Sequence, residues 1–461
     1  MTRPTPFTVE GKRVTVVGAA RSGVAAAELL VRRGATVTLT DLRPAIDDEA
    51  RLRAAGVAVE LGGHLEHTLR GADLIVTSPG VPPLQPALDA ARLAGVEVVG
   101  ELELASRWLR GRVVAITGTK GKSTTTTLAG RMLEAAGRRV LVGGNIGVAL
   151  SAQVDDSTAD TIHVVEVSSF QLEATVSFRP WIAVLLNFSP DHLDRHAGVE
   201  DYAAAKARIF ANQSADDWAV LNADDPAALA IAGGIRAQRL PFSLNAALAD
   251  GVVIEGGTIV RRSAAGRQPL VPLASIRLIG RHLVADVMAA AAVASLAGAD
   301  ADAMTRAVEG FAGLEHALEP AGEVAGVRFV NDSKATNIEA ARRAVESFDD
   351  GLVVILGGRF KGGDFADLLE PLRARRASVV AIGEARPLIA AALGAGLVVH
   401  QAADMSAAVR TAFASAGPGH TVVLAPACSS FDMFRDYAER GRVFKQEVLR
   451  LREEWNVTRE Q

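Results

Sequence analysis

Residues 112–124 read Arg-Val-Val-Ala-Ile-Thr-Gly-Thr-Lys-Gly-Lys-Ser-Thr. A β-branched apolar run ends there in a glycine-rich turn, and the Thr-, Leu- and Ala-rich stretch that follows has the texture of a helix. A strand, turn and helix in this order are what a phosphate loop needs. Backbone N–H groups face an anion, the helix amino terminus adds positive potential, a lysine reaches the terminal phosphates, and a hydroxyl can bind Mg²⁺. Gly118, Thr119, Lys120, Gly121, Lys122, Ser123 and Thr124 are therefore candidate nucleotide-binding residues, with Lys122 on the phosphates and Ser123 on the metal. The full eight-residue pattern would need glycine at position 116, where this chain has isoleucine, so the loop is a shortened variant.

The same alternation extends outward. Toward the amino terminus, residues 13–17 are β-branched, Gly18-Ala-Ala-Arg-Ser-Gly23 turns, residues 24–33 are rich in Ala and Leu, and residues 35–40 are β-branched again. This βαβ opening, with strands expected at 74–77 and 96–99, implies a parallel sheet under covering helices. Beyond the phosphate loop, strands are expected at 162–167 and 182–186. Residues 251–260 read as two strands around Gly256-Gly257, with Gly266 and Pro269 in the loop that follows, a small antiparallel insertion. Helices are expected at 283–297 and 303–309. A third series has strands at 327–330, 352–356, 378–382 and 421–424 and a charged helix from about 433 to 453. The expectation is an α/β protein of three domains: an N-terminal Rossmann-like domain (1–105), a central P-loop ATPase-like α/β domain with the small antiparallel insertion (106–313), and a C-terminal Rossmann-like α/β domain (314–461).

Composition agrees with this plan. At roughly 150 residues per domain, 461 residues suggest about three. Hydrophobic residues at 49% and charged ones at 22% describe a globular chain rather than a disordered one. The 49 Lys+Arg against 53 Asp+Glu leave a net charge of −4, which gives no global field for nucleic acid or an anionic membrane, so anionic ligands must be held by local devices. A single cysteine, Cys428, cannot form an internal disulfide or a cysteine metal cage. The amino terminus lacks the apolar core of a signal peptide, and the apolar runs are too short for membrane insertion, so a cytoplasmic location is expected.

In a doubly wound sheet, ligands collect at the carboxyl ends of strands. Glu166 closes one expected strand and His192 follows another, so both could approach the phosphate loop with a hard cation between them. Taken alone, His192 reads as an ordinary loop histidine and Lys206 as a solvated helix lysine. The amino-terminal turn has Ala20 where the dinucleotide fingerprint needs its second glycine, which makes an NAD site a weak reading.

Several segments together resemble the Mur ligases, and most closely their D-glutamate-adding members. These are ITGTKGKSTTTTLAG, VGGNIG, VVEVSSFQLE, LNFSPDHLDRH, YAAAKARIF, LNADD, FAGLEH, VNDSKATN, LGGRFKGGDF and LAPACSSFDMF with the following AERG, in order from about residue 112 to 445. VVGAARSG extends the resemblance to nearly the whole chain. The resemblance implies an ATP-dependent amide ligase of peptidoglycan precursor synthesis. It would phosphorylate the carboxylate of UDP-N-acetylmuramoyl-L-alanine to an acyl phosphate, which the amine of D-glutamate attacks, leaving ADP and phosphate. By resemblance, Lys122, His192 and Lys206 are catalytic, and Ser123, Glu166, His192 and Lys206 serve Mg²⁺, with Lys206 carbamylated by CO₂. Asn145, Asp332 and Lys334 lie on the nucleotide side. Ser22, Gly23, Asp41 and Arg43 hold the UDP moiety, although Asp41 could equally cap a turn. Thr336, Lys361, Ser430 and Tyr437 receive D-glutamate, although Lys361 alone reads as an exposed loop cation. A monomer is expected.

The match frays at Leu283 and Asp286, where the family commonly has two asparagines, and at Ala317, where it commonly has arginine. Weaker nucleotide contacts are expected, unless nearby arginines such as Arg281 substitute. The alternatives are a Mur-type ligase for another amino acid, a folylpolyglutamate synthetase-like enzyme, and a non-catalytic nucleotide-sensing relative. The substrate residues of the third domain and the phosphate loop must meet, so a hinge at Gly313 is expected.

Overall fold

The computed structural model describes residues 7–82, 85–192 and 195–460. Three sheets are built among them. The first contains β1 (Arg13–Val17), β2 (Thr36–Asp41), β3 (Ala58–Leu61), β4 (Leu74–Thr77) and β5 (Glu97–Gly100) in the order β3-β2-β1-β4-β5, all parallel. Their buried Val, Leu and Ile faces pack against helices such as Arg21–Arg32. Ser22 and Gly23 lie in the first turn of that helix rather than in the preceding loop. A Cβ on Gly23 would stand 1.9 Å from the Gly18 carbonyl oxygen, so the close approach of helix to strand needs glycine there.

The second sheet contains β6 (Arg112–Thr117), β7 (Arg139–Gly144), β8 (Thr161–Glu166), β9 (Ile182–Leu185), β10 (Trp218–Asn222), β11 (Gln238–Phe242), β12 (Gly251–Glu255), β13 (Thr258–Ser263) and β14 (Gly266–Pro272). Their order is β14-β13-β12-β11-β10-β9-β6-β8-β7. The Gly256-Gly257 turn, with φ of +52° and +75°, joins antiparallel β12 and β13 as expected. The expected loop around Gly266 and Pro269 is instead strand β14. Proline is tolerated because β14 is the sheet's edge and its register with β13 shifts between Ile259 and Val260. The hairpin thus extends the central sheet, through the pairing of Phe242 with Val252.

The third sheet contains β15 (Glu319–Val324), β16 (Val327–Asn331), β17 (Leu352–Gly357), β18 (Ser378–Ile382), β19 (Val399–Gln401) and β20 (Thr421–Leu424) in the order β15-β16-β20-β17-β18-β19, with only β15 antiparallel. Its two faces carry separate apolar cores. The terminal helix runs Tyr437–Glu460.

By their contacts the residues form two compact units. One holds the first two sheets with residues 285–308, and the other holds the third sheet with residues 276–284. Leu283 belongs to the second, where it is 9% exposed within the apolar core of the third sheet. None of the described helices is long and apolar enough to cross a membrane.

Candidate active site

β6 lies between β9 and β8, the switch point of its sheet, and its carboxyl end feeds the glycine-rich loop. Gly118 (φ +153°) and Gly121 (φ +82°) adopt backbone conformations that side chains disfavour, and a Cβ on Gly121 would stand 2.2 Å from Asp286 Oδ1. The loop is braced from the end of β9. Asn187 Oδ1 accepts from the N–H groups of Thr119 (3.1 Å) and Lys120 (2.9 Å), and Asn187 Nδ2 donates to the Lys120 carbonyl at 3.0 Å. Thr119 Oγ1 donates to the Ser189 carbonyl at 3.0 Å. Lys122 opens the helix Lys122–Ala135 and arches over the loop, donating to the carbonyls of Gly118 and Thr119 at 3.0 Å each. Thr124 is buried in the first turn.

Glu166, the last residue of β8, is 2% exposed. Its Oε2 accepts from Ser123 Oγ and its Oε1 from Asn145 Nδ2, both at 2.7 Å. Three of the expected residues therefore meet in one cluster at the foot of the phosphate loop. A hydroxyl and a carboxylate are hard oxygen donors, which suits Mg²⁺.

Lys206 is not the solvated lysine that its local sequence suggests. It is 1% exposed on helix Val199–Ala207, and its Nζ donates to the Gly118 carbonyl at 2.8 Å. Burial, with the nearby charge of Lys122, pushes its pKa down to about 6. The ring of Tyr202, 4.6 Å from Nζ, offers the ammonium a partner, but one such contact is worth about 0.5–2 kcal/mol and does not offset the lost hydration. Tyr202 also reaches Thr119 Oγ1 at 3.3 Å, so it packs Lys206 against the loop. His192 is exposed with φ +55°, its ring edge-on to Phe170 at 5.1 Å. A different trio, Glu173, His196 and Asp201, brings its ligand atoms within 4.8 Å of one another. There His196, in the loop before helix Val199–Ala207, bonds Ser169 Oγ (3.0 Å) through Nε2 and Glu173 (3.0 Å) through Nδ1, which ties that loop to helix Ser169–Glu173.

At the end of β2, Asp41 does cap a turn, and it does more. Its Oδ2 accepts from the Ala19 N–H at 2.7 Å, while Oδ1 accepts from the backbone N–H (2.9 Å) and Nε (3.0 Å) of Arg43. The Arg43 guanidinium holds the Asp41 carboxyl well below the usual carboxylate range. The carboxylate thus ties the Gly18-Ala19 turn, which leads into Ser22 and Gly23, to Arg43.

In the third sheet, the candidate residues stand at the carboxyl ends of three adjacent strands. Asp332, Lys334 and Thr336 follow β16, where Asn337 caps the next helix by accepting from the Ala340 N–H at 2.8 Å. Burial pushes the Asp332 carboxyl up to about 7, and its Oδ1 accepts from the Leu318 N–H at 3.1 Å. Lys361, exposed, follows β17. Ser430 follows β20 and is 2% exposed, its carbonyl accepting from Phe434 N–H at 2.8 Å. Tyr437 is 40% exposed. Burial pushes the Cys428 thiol up to about 12, which leaves it unreactive.

Sequence reasoning missed Asn187 and Tyr202 as organisers, although both lie in the quoted segments LNFSPDHLDRH and YAAAKARIF. Their role depends on partners far along the chain, which spacing does not reveal.

Comparison with known proteins fits this arrangement. Residues 12–100 match the model of the Mur ligase MurD-like N-terminal domain, residues 116–294 the Mur ligase middle domain, and residues 318–428 the Mur ligase, glutamate ligase domain. The UDP-N-acetylmuramoylalanine–D-glutamate ligase of Acidobacterium capsulatum is 48% identical over 96% of this chain and 97% of its own. That of Geobacter metallireducens is 47% identical over 96% and 98%. Among solved structures, the UDP-N-acetylmuramate-alanine ligase MurC of Thermotoga maritima shares the fold, with a TM-score of 0.59 at 18% identity over 95% of this chain and 99% of that one. The MurF ligase of Thermotoga maritima, solved in complex with ADP, has a TM-score of 0.59 at 17% identity over 96% of each. Three domain models in sequence and nearly full-length identity close to one half place the chain: it belongs to the Mur ligase family, among the relatives named for D-glutamate.

Proposed function

We propose that this protein is an ATP-dependent carboxylate–amine ligase that joins D-glutamate to UDP-N-acetylmuramoyl-L-alanine, releasing ADP and phosphate, in peptidoglycan precursor synthesis. The observation that carries the reading is the Lys122, Ser123, Asn145 and Glu166 arrangement at the ends of β6, β7 and β8, in a chain 48% identical to a ligase of that name.

A carboxylate is a poor acyl donor because its leaving group would be oxide. Phosphorylating it with ATP supplies a good leaving group, and the amine of the amino acid can then displace phosphate. The work of the protein is to position the partners and neutralise charge on the transferring group. In this reading, the loop N–H groups from Gly118 to Ser123 and the helix amino terminus cradle the phosphates, and Lys122 swings from the loop carbonyls onto them. Ser123 and Glu166 would hold Mg²⁺, which would offset the negative charge of the phosphates. Asn145 keeps the Glu166 carboxylate oriented. Lys206, held neutral by burial, presents the free amine that CO₂ requires, and its carbamate would add a carboxylate-like ligand together with His192. Asp41, Arg43, Ser22 and Gly23 take the UDP moiety, and Asp332 and Lys334 serve the nucleotide. Thr336, Lys361, Ser430 and Tyr437 take D-glutamate, where a lysine among hydroxyls suits a dicarboxylate. The domain boundaries near 105 and 313 follow from the same reading.

The test is phosphate release from ATP in the presence of UDP-N-acetylmuramoyl-L-alanine and each of several amino acids. D-Glutamate should trigger it, while L-glutamate, L-alanine and L-lysine should not. Release that depends on another amino acid overturns the substrate assignment, and no release with any of them overturns the ligase. Lys122→Ala should abolish it.

A further inference from the structure

Three segments of the C-terminal unit carry the residues assigned above to the amino acid: 331–337 after β16, 357–363 after β17 and 426–431 after β20. Each is irregular backbone at a strand end, where ladder hydrogen bonds stop and other donors must satisfy the carbonyls. Arg440 meets all three. It sits in the first turn of helix Tyr437–Glu460 and is 1% exposed. Its Nε donates to Ser333 Oγ at 3.0 Å and its Nη2 to the Ser333 carbonyl at 2.9 Å. Its Nη1 donates to the carbonyl of Cys428 at 3.1 Å and, more weakly, to that of Gly357 at 3.5 Å. Ser333 Oγ passes the connection on to the Tyr437 carbonyl at 2.7 Å.

One planar fork therefore touches the residue between Asp332 and Lys334, the residue four before Lys361, and the residue two before Ser430. Gly358, with φ +131°, leaves room for it: a Cβ there would lie 3.2 Å from Nη1. All four bonds end on neutral oxygens, and Asp432 acts on the guanidinium only through space. Burial pushes the Arg440 pKa down to about 10, which still leaves it charged at neutral pH. A buried cation without a contacting carboxylate is costly, and an apolar side chain of similar size would serve packing alone better.

We propose that Arg440 is the positioning residue of the amino-acid site: its fork fixes the spacing of the three strand-end loops, and its unneutralised charge adds positive potential for a doubly anionic amino acid. This rests on the amino-acid reading above.

The experiment measures initial rates of phosphate release by the full-length protein while each substrate is varied, for the wild type, Arg440→Met, Arg440→Lys and Ser333→Ala. Arg440→Met should raise KM for D-glutamate about ten-fold or more, with KM for UDP-N-acetylmuramoyl-L-alanine within about two-fold and KM for ATP raised less than that for D-glutamate, because the Ser333 loop also carries Asp332 and Lys334. Arg440→Lys keeps the charge but loses the fork and should fall between. A lower melting temperature and lower kcat with all three KM values unchanged, or all three raised together, is the mark of a scaffold residue and overturns the proposal. If Arg440→Met does not fold, Arg440→Lys and Ser333→Ala, which removes one hydroxyl and leaves the Ser333 carbonyl in place, decide by the same split. If the wild type responds to a different amino acid, the substrate reading fails, while the same split measured with that amino acid still judges Arg440.

Discussion

Glu166 shows how one residue can be fixed before any ligand arrives. A carboxylate that is 2% exposed must be hydrogen-bonded, and its two oxygens accept from Ser123 and Asn145 at 2.7 Å each. Glu166→Gln keeps the volume but removes the charge and turns one acceptor into a donor facing another donor. Phosphate release should fall by at least about 100-fold, on the scale set by losing one essential electrostatic group, with little change in circular dichroism. A loss below ten-fold would remove Glu166 from the metal site. At Gly121, alanine would meet both a disfavoured φ of +82° and Asp286 at 2.2 Å, so Gly121→Ala should abolish binding of a fluorescent ATP analogue, read by titration. Gly118 to Ser123 and Glu166 were legible because strand, turn and helix announce themselves in local sequence. Lys206 was not, because its burial comes from the packing of its own helix against the phosphate loop 88 residues earlier, and its segment was informative only through resemblance.

Elements are joined by carboxylates as well as by apolar contact. Helix Glu101–Ser106, which leads from the first sheet toward the second, buries Glu103 completely, with 0% exposure. Its oxygens accept from the N–H groups of Val176 (2.9 Å) and Phe178 (2.9 Å), from Ser177 N–H and hydroxyl, and from Arg107 Nε (3.0 Å). Burial pushes the Glu103 pKa up, but the Ser177 hydroxyl, the backbone donors and Arg107 outweigh it, and the net direction is down from 4.5. A carboxyl depressed in the folded state stabilises the fold above its unfolded pKa, and that contribution is lost as pH falls through the folded value. Glu103→Gln should therefore cost about 1.5–3 kcal/mol at pH 7 by urea unfolding, and the difference from wild type should shrink below about pH 4.5. A difference independent of pH would mean that the charge is not what joins the helix to the loop at residues 176–178. Nothing in the sequence announced this role. A glutamate near the start of a helix is ordinary, and its backbone donors lie more than 70 residues away. The edge strand around Pro269 escaped notice for a related reason: proline marks a loop by local rule, and only the edge position of β14 makes it compatible with a strand.

At the scale of the whole chain, covalent order and packing order differ. Residues 276–284 precede the helix Ala301–Glu309, yet they group with the C-terminal unit, where Leu283 joins the core and Leu278 and Ile279 pack against it. Position 283, where the resemblance implies an asparagine at the nucleotide, is thus filled by a side chain that has gone into a hydrophobic core. Leu283→Ala should then destabilise the C-terminal unit by about 2–4 kcal/mol, the usual cost of truncating a buried leucine. Hydrogen exchange reads this directly. Amides of β17 and β20 should lose protection to that extent, those of β6 and β8 should not, and KM for ATP should stay within about two-fold of wild type. Equal loosening of both sheets would mean that the unit is not separately stabilised, and a large rise in KM for ATP would return position 283 to the nucleotide site.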